Sequence, residues 1–167
     1  MDAAAVLADA GLAKRRQHLM VMDELWRALR GAPGLVEHAD ALTRLNRSRG
    51  IASLMITHSM ADLEALPTRA DVAKARGFVE RSAIVALGGL PPRELQAVTQ
   101  VVPLTAREAD LVASWSSAAS WQPGARHPGR GRYLLKTGHR PGLPLAMTLT
   151  PAEARLYDTD TRIRVTP

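Results

Sequence analysis

The chain is predicted to be an α/β unit, a small parallel sheet flanked by helices and followed by a C-terminal strand pair. Two patterns predict it. Short apolar runs at His18–Met22, Ile51–Thr57 and Ala83–Leu87 alternate with helix-length amphipathic stretches, as strand–helix–strand crossovers require. Later, Arg132–Lys136 and Leu143–Leu149 flank the turn-forming segment Thr137-Gly138-His139-Arg140-Pro141-Gly142 and read as paired strands.

In chain order, Asp2 can cap an Ala-rich helix reaching about Lys14, where Lys14, Arg15 and Arg16 suit the negative helix end. The run His18–Met22 is read as a strand buried on both faces, as parallel sheets demand, with Asp23 and Glu24 at its C-terminal end. A short helix follows over Leu25–Arg30, broken by Gly31-Ala32-Pro33-Gly34. A longer one starts at Leu35 and runs to about Ser48, with Val36, Ala39, Leu42 and Leu45 on one stripe. Gly50 closes it before the second strand, and His58 lies just past that strand. Met60–Leu66 and Asp71–Arg81 are helices parted at Pro67. The third apolar run, ending in Gly88-Gly89, is expected to join the same parallel sheet. Pro91-Pro92 starts a helix to about Thr99, and Thr105 with Glu108 forms a capping box for another to about Ser114. Thr150, Pro151 and Glu153 open a last short helix. Three parts are expected: a core over 1–115, a flexible Ser/Pro/Gly/Arg-rich loop over 116–131, and the strand pair with its helix over 132–167.

Composition sets bounds on function. The chain has 167 residues, 46% of them hydrophobic, enough for one core. With no cysteine it has no disulfide, thiolate metal site or thiol nucleophile, which fits a cytoplasmic location. No apolar run approaches the roughly 20 residues that span a bilayer. The net charge of +6 is uneven: residues 120–167 hold 8 basic and 3 acidic groups, against 14 and 13 in residues 1–119. Arg126, Arg130, Arg132 and Arg140 are therefore candidates for contacts with DNA, and a solvated basic face is the plain alternative. His18, His38, His127 and His139 show no metal-ligand spacing, and Ser116 and Ser117 sit in no nucleophile elbow. Trp26 is expected to pack into the core. Trp115 and Trp121 flank the loop and can either staple its ends or face a partner.

The segment with most chemical content is Leu19-Met20-Val21-Met22-Asp23-Glu24. A buried strand can deliver Asp23 to the crevice at the sheet's C-terminal edge to orient the water shell of Mg²⁺, an indirect metal contact, while Glu24 polarises an attacking water. Two acids after a strand can equally serve the N-terminus of the next helix. Arg47-Ser48-Arg49-Gly50 and the strand ending in Thr57-His58 add an arginine able to reach a neighbouring subunit's nucleotide and a polar pair able to sense a γ-phosphate.

With Asp23-Glu24-Leu25-Trp26, Arg47-Ser48-Arg49-Gly50 and Thr57-His58 in this order, the chain resembles the C-terminal part of FtsK/HerA-class P-loop motor ATPases. The likeness is greatest to the conjugative type IV secretion ATPases of mobile elements. The resemblance covers about Leu19–Asp160. It implies a truncated RecA-like P-loop ATPase fold with a remnant parallel sheet flanked by helices. It also implies ATP and Mg²⁺ as cofactors of the intact assembly, with Asp23 associated with magnesium and Glu24 as the catalytic carboxylate. Thr57 and His58 would form a sensor pair, and Arg47 a finger acting across subunits. Arg49 stands where the family usually has an aromatic residue. The implied partners are an N-terminal ATPase portion or intact ATPase subunits, in a homo-oligomer recruited to a membrane secretion complex.

One part of the family's machinery is missing. No Gly-x-x-x-x-Gly-Lys-Ser/Thr loop occurs, and the residues before Leu19 are too few for the strand, loop and helix that would hold one. Little or no turnover is expected from the chain alone. A sheet deprived of that neighbour is expected to expose apolar surface and to associate. A non-catalytic module that docks onto intact ATPase subunits is the alternative from another functional class.

Overall fold

The computed structural model describes residues 10–11, 17–31, 34–46, 50–117 and 127–157. All but residues 10–11 of the helix expected near Asp2–Lys14, and most of the loop expected over 116–131 with Trp121, lie outside the described residues. The elements in order are β1 (His18–Met22), α1 (Leu25–Arg30), α2 (Leu35–Asn46), β2 (Ile51–Met55), α3 (Met60–Glu64) and α4 (Arg69–Glu80). There follow β3 (Val85–Leu87), α5 (Pro92–Thr99), α6 (Ala106–Ser114), β4 (Arg132–Lys136), β5 (Leu143–Ala146) and α7 (Pro151–Leu156). The chain divides into two compact units, one of residues up to Ala83 with Arg93–Pro103, the other of Ile84–Pro92 with the residues from Leu104 onward.

In the first unit β1 and β2 pair in parallel, His18 opposite Ile51 through Met22 opposite Met55. The crossover between them carries α1 and α2, the arrangement that parallel pairing requires. α2 packs on β2 and on α4, and α3 packs on α4. The apolar positions of these helices close a core that includes Leu25, Leu29, Val36, Leu63, Ala75 and Phe78. Its rim is ionic. Asp40 accepts from Arg44 Nε at 2.9 Å and from the Arg81 guanidinium, and Glu37 pairs with Lys74. These partners hold the carboxyls of Asp40 and Glu37 below the usual carboxylate range.

The expectation that β1 is buried on both faces is not met. Residues paired across the sheet share a face, so Leu19, Val21, Ala52 and Leu54 line one side, and Ile56 continues it. That side is open: Leu19 is 66% exposed, Val21 52% and Leu54 47%. Met20, Met22 and Met55 on the opposite side are half-buried. A continuous apolar run marks a strand able to be covered on both faces, but the cover itself must come from elsewhere.

In the second unit β3, β4 and β5 form an antiparallel sheet. The third apolar run thus departs from expectation: β3 pairs with β4, Val85 opposite Lys136 and Leu87 opposite Leu134, and has no place in the parallel sheet. Leu87 and Leu134 point into the core with Val112 and Trp115, while Ala86 opposite Leu135 faces the other way. The β5 strand ends at Ala146, three residues before the expected Leu149. Gly89 closes on the end of α6, where a Cβ would stand 2.5 Å from the Trp115 carbonyl oxygen.

Among the described residues of this unit, Glu108 and Lys136 form a buried charged pair. Glu108 completes the capping box at the start of α6, accepting the Thr105 N–H at 2.8 Å. The same carboxylate receives Lys136 Nζ at 3.1 and 3.2 Å and the Gly142 N–H. Lys136 also donates to the Arg140 carbonyl at 2.8 Å, so helix, strand and turn are tied at one point. The backbone N–H of Thr105, then that of Gly142, then Lys136 hold the Glu108 carboxyl down at about 2, against the opposing effect of burial.

Candidate functional site

The parallel pair continues past the strands' formal ends. The Ile56 N–H donates to the Met22 carbonyl at 2.9 Å, and the Leu25 N–H donates to the Ile56 carbonyl at 2.8 Å. These two bonds clamp the chain on either side of Asp23-Glu24 to the residue before Thr57-His58. Both candidate pairs therefore lie at the C-terminal edge of the same sheet, where open α/β sheets present functional groups.

Glu24 has φ 49° and ψ 55°, the left-handed region, and is the only non-glycine with positive φ among the described residues. Such a conformation costs an ordinary side chain about 1–2 kcal/mol. Asp23 Oδ1 accepts the Glu24 N–H at 3.0 Å, supporting the sharp turn from strand to helix. The Glu24 carboxylate is half-exposed and lies 4.0 Å from Arg27. Trp26 is half-buried instead of packed in the core, with the Arg30 guanidinium 5.8 Å from its ring centroid; Leu25 and Leu29 are the residues of α1 that enter the core.

Beyond the second strand, the Thr57 hydroxyl donates to the Ser59 carbonyl at 3.4 Å. Ser59 caps α3 by accepting the Asp62 N–H at 3.1 Å. Glu94 of α5 accepts the Met60 N–H at 2.9 Å. The sequence reading did not single out Glu94. Its one sequence signal is an acid in the first turn of a helix, which points to its own helix end. His58 is exposed.

The other candidates are not brought to this edge. Arg47 and Arg126 lie outside the described residues. Arg130, Arg132 and Arg140 belong to the second unit, all three exposed, at the turn before β4, at its first residue and in the β4–β5 turn. Among the described residues no group of three His, Cys, Asp or Glu side chains can hold a metal ion. Asp23 and Glu24 do not make a metal cage by themselves. No helix among the described residues is long and apolar enough to cross a membrane.

The solved structure of VirB4 of Thermoanaerobacter pseudethanolicus aligns with this chain at a TM-score of 0.62 and 17% sequence identity, covering 89% of the chain. The fold is that of part of VirB4. The match takes in 34% of the VirB4 chain, so this chain spans about a third of its length. The α/β architecture read from the sequence, a small parallel sheet with helices and an antiparallel strand pair, agrees with this VirB4 fold. No protein-family model matches the chain, and no curated protein matches it in sequence.

Proposed function

We propose that the chain acts as the C-terminal part of a type IV secretion motor ATPase, of the FtsK/HerA class and serving conjugative DNA or protein transfer. It contributes the hydrolytic edge of a nucleotide site whose phosphate-binding loop comes from another segment or subunit. The observation that carries this reading is the meeting of Asp23-Glu24 and Thr57-His58 at one sheet edge, within a VirB4 fold. In the proposed site Glu24 orients and polarises the attacking water, and Asp23 orients the water shell of a nucleotide-bound magnesium ion. Thr57 and His58 read the γ-phosphate, and Arg47 reaches a neighbouring subunit's nucleotide. Bound ATP and Mg²⁺ would supply the reactive phosphoryl group and its charge neutralisation. The assembly is a cytoplasmic homo-oligomer recruited to a membrane secretion complex.

The test compares ATP hydrolysis by the isolated chain with hydrolysis by an assembly that supplies the upstream loop. The expected outcome is turnover in the assembly alone, lost on Glu24→Gln. Robust Glu24-dependent turnover by the isolated chain refutes the proposal.

The open face of the parallel sheet favours a second reading, a non-catalytic module that docks onto intact ATPase subunits. Glu24→Gln separates the two readings, since docking survives that substitution and hydrolysis does not. Contact with DNA through Arg126, Arg130, Arg132 and Arg140 would appear as steeply salt-dependent, sequence-independent binding lost when these residues are neutralised.

A further inference from the structure

We propose that Glu94 is a positioning residue that fixes the Thr57–His58 strand end. The inference rests on the reading above for the importance of that strand end, and on geometry for the positioning itself. The segment from Thr57 to Met60 leaves β2 and turns into α3, a helix of 5 residues. So short a helix contributes little order of its own, and its first N–H groups have no partner within it. Ser59 satisfies the N–H of Asp62. The N–H of Met60, two residues closer to the strand end, is satisfied by Glu94, 34 residues away in sequence, at 2.9 Å.

The place of this bond makes it a device for position. Met60 is 5% exposed, so an unsatisfied N–H there has little access to water, and losing its acceptor is costly. The bond ties the far side of the Thr57-His58-Ser59 turn to α5, while the Ile56–Met22 and Leu25–Ile56 bonds tie the near side to the acidic strand end. Thr57 and His58 are thus held between two anchors, one on the sheet and one on Glu94. Nothing else described on α5 bonds to this turn by a side chain.

A purely local role for Glu94 is the alternative to exclude, because it lies in the first turn of α5, where a negative charge favours the helix. Two substitutions separate the roles. Glu94→Gln keeps the length and an acceptor oxygen but removes the charge. Glu94→Asp keeps the charge but draws the oxygens back by one methylene. The readouts are native-state signals of the full chain: amide exchange at Met60 and the NMR resonances of the His58 imidazole.

The expected result is that Glu94→Asp accelerates Met60 exchange by about tenfold or more and displaces the His58 signals, whereas Glu94→Gln leaves both near those of the unsubstituted chain. The reverse order, with Asp silent and Gln disruptive, assigns Glu94 to its own helix and overturns the proposal. So does an unchanged Met60 and His58 in both variants, or equal damage in both. Because no readout requires hydrolysis, failure here is distinct from failure of the ATPase reading.

Discussion

Glu24 and Glu108 show two opposite ways in which a carboxylate is held. Glu24 is half-exposed on a left-handed backbone at the C-terminal edge of a sheet. Replacing it with Gly should relieve the steric cost, so Glu24→Gly is expected to raise unfolding stability by about 1 kcal/mol in urea titrations while removing any hydrolytic role. A loss of stability would show that the carboxylate carries structural weight. Glu108 is buried and fully engaged. Its folded pKa of about 2 lies below the ordinary value of 4.5, so its stabilisation is complete above about pH 4.5 and disappears as pH falls towards 2. Urea unfolding between pH 6 and pH 2 should show this loss, and Glu108→Gln should flatten that limb. Glu108→Ala leaves Lys136 buried and unpaired, and is expected to cost about 3 kcal/mol or more.

Elements differed in how far the sequence revealed them. The bounds of β1 and α1, the capping box of Thr105 with Glu108 and the helix opened by Thr150, Pro151 and Glu153 follow from local chemistry and stand where that chemistry puts them. What local chemistry does not encode is the partner. Val85–Leu87 reads as a strand in any sheet, and only its pairing with Leu134–Lys136 decides which sheet it joins. The candidate site divides in the same way. Asp23 and Glu24 are visible because an apolar run stops at two acids, whereas the Glu94–Met60 bond joins residues far apart in sequence and has no local signature. At the element scale, Gly89 is expected to resist substitution: the Cβ of Gly89→Ala meets the Trp115 backbone, which cannot swing aside as a side chain could. A drop of several degrees in Tm is the expected result, with a larger drop for Gly89→Val.

For the whole chain, the open face of the parallel pair sets behaviour in solution. Leu19, Val21, Leu54 and Ile56 together present an apolar strip that a lone soluble domain seldom leaves uncovered. Sedimentation is expected to show association that rises with concentration and weakens in the double variant Leu19→Lys, Leu54→Lys. A strictly monomeric, concentration-independent and cooperative transition in the unsubstituted chain would contradict this. The β5 edge behaves otherwise. The Met147 N–H bonds to Gly131, so by the register Pro144 turns its nitrogen outward, and the free edge lacks a donor there. Growth of the antiparallel sheet by an added strand is blunted on that side.

The backbone of Glu24 has a genetic consequence. Both glutamate codons become glycine codons by one base change, so the substitution that relaxes this turn is always a single mutational step away. A lineage in which the carboxylate had no use would drift towards glycine, gaining stability as it did so. Sequencing this position across natural variants therefore dates the chemistry: glutamate held against an easier backbone marks a site still in service, and glycine marks one that has been retired.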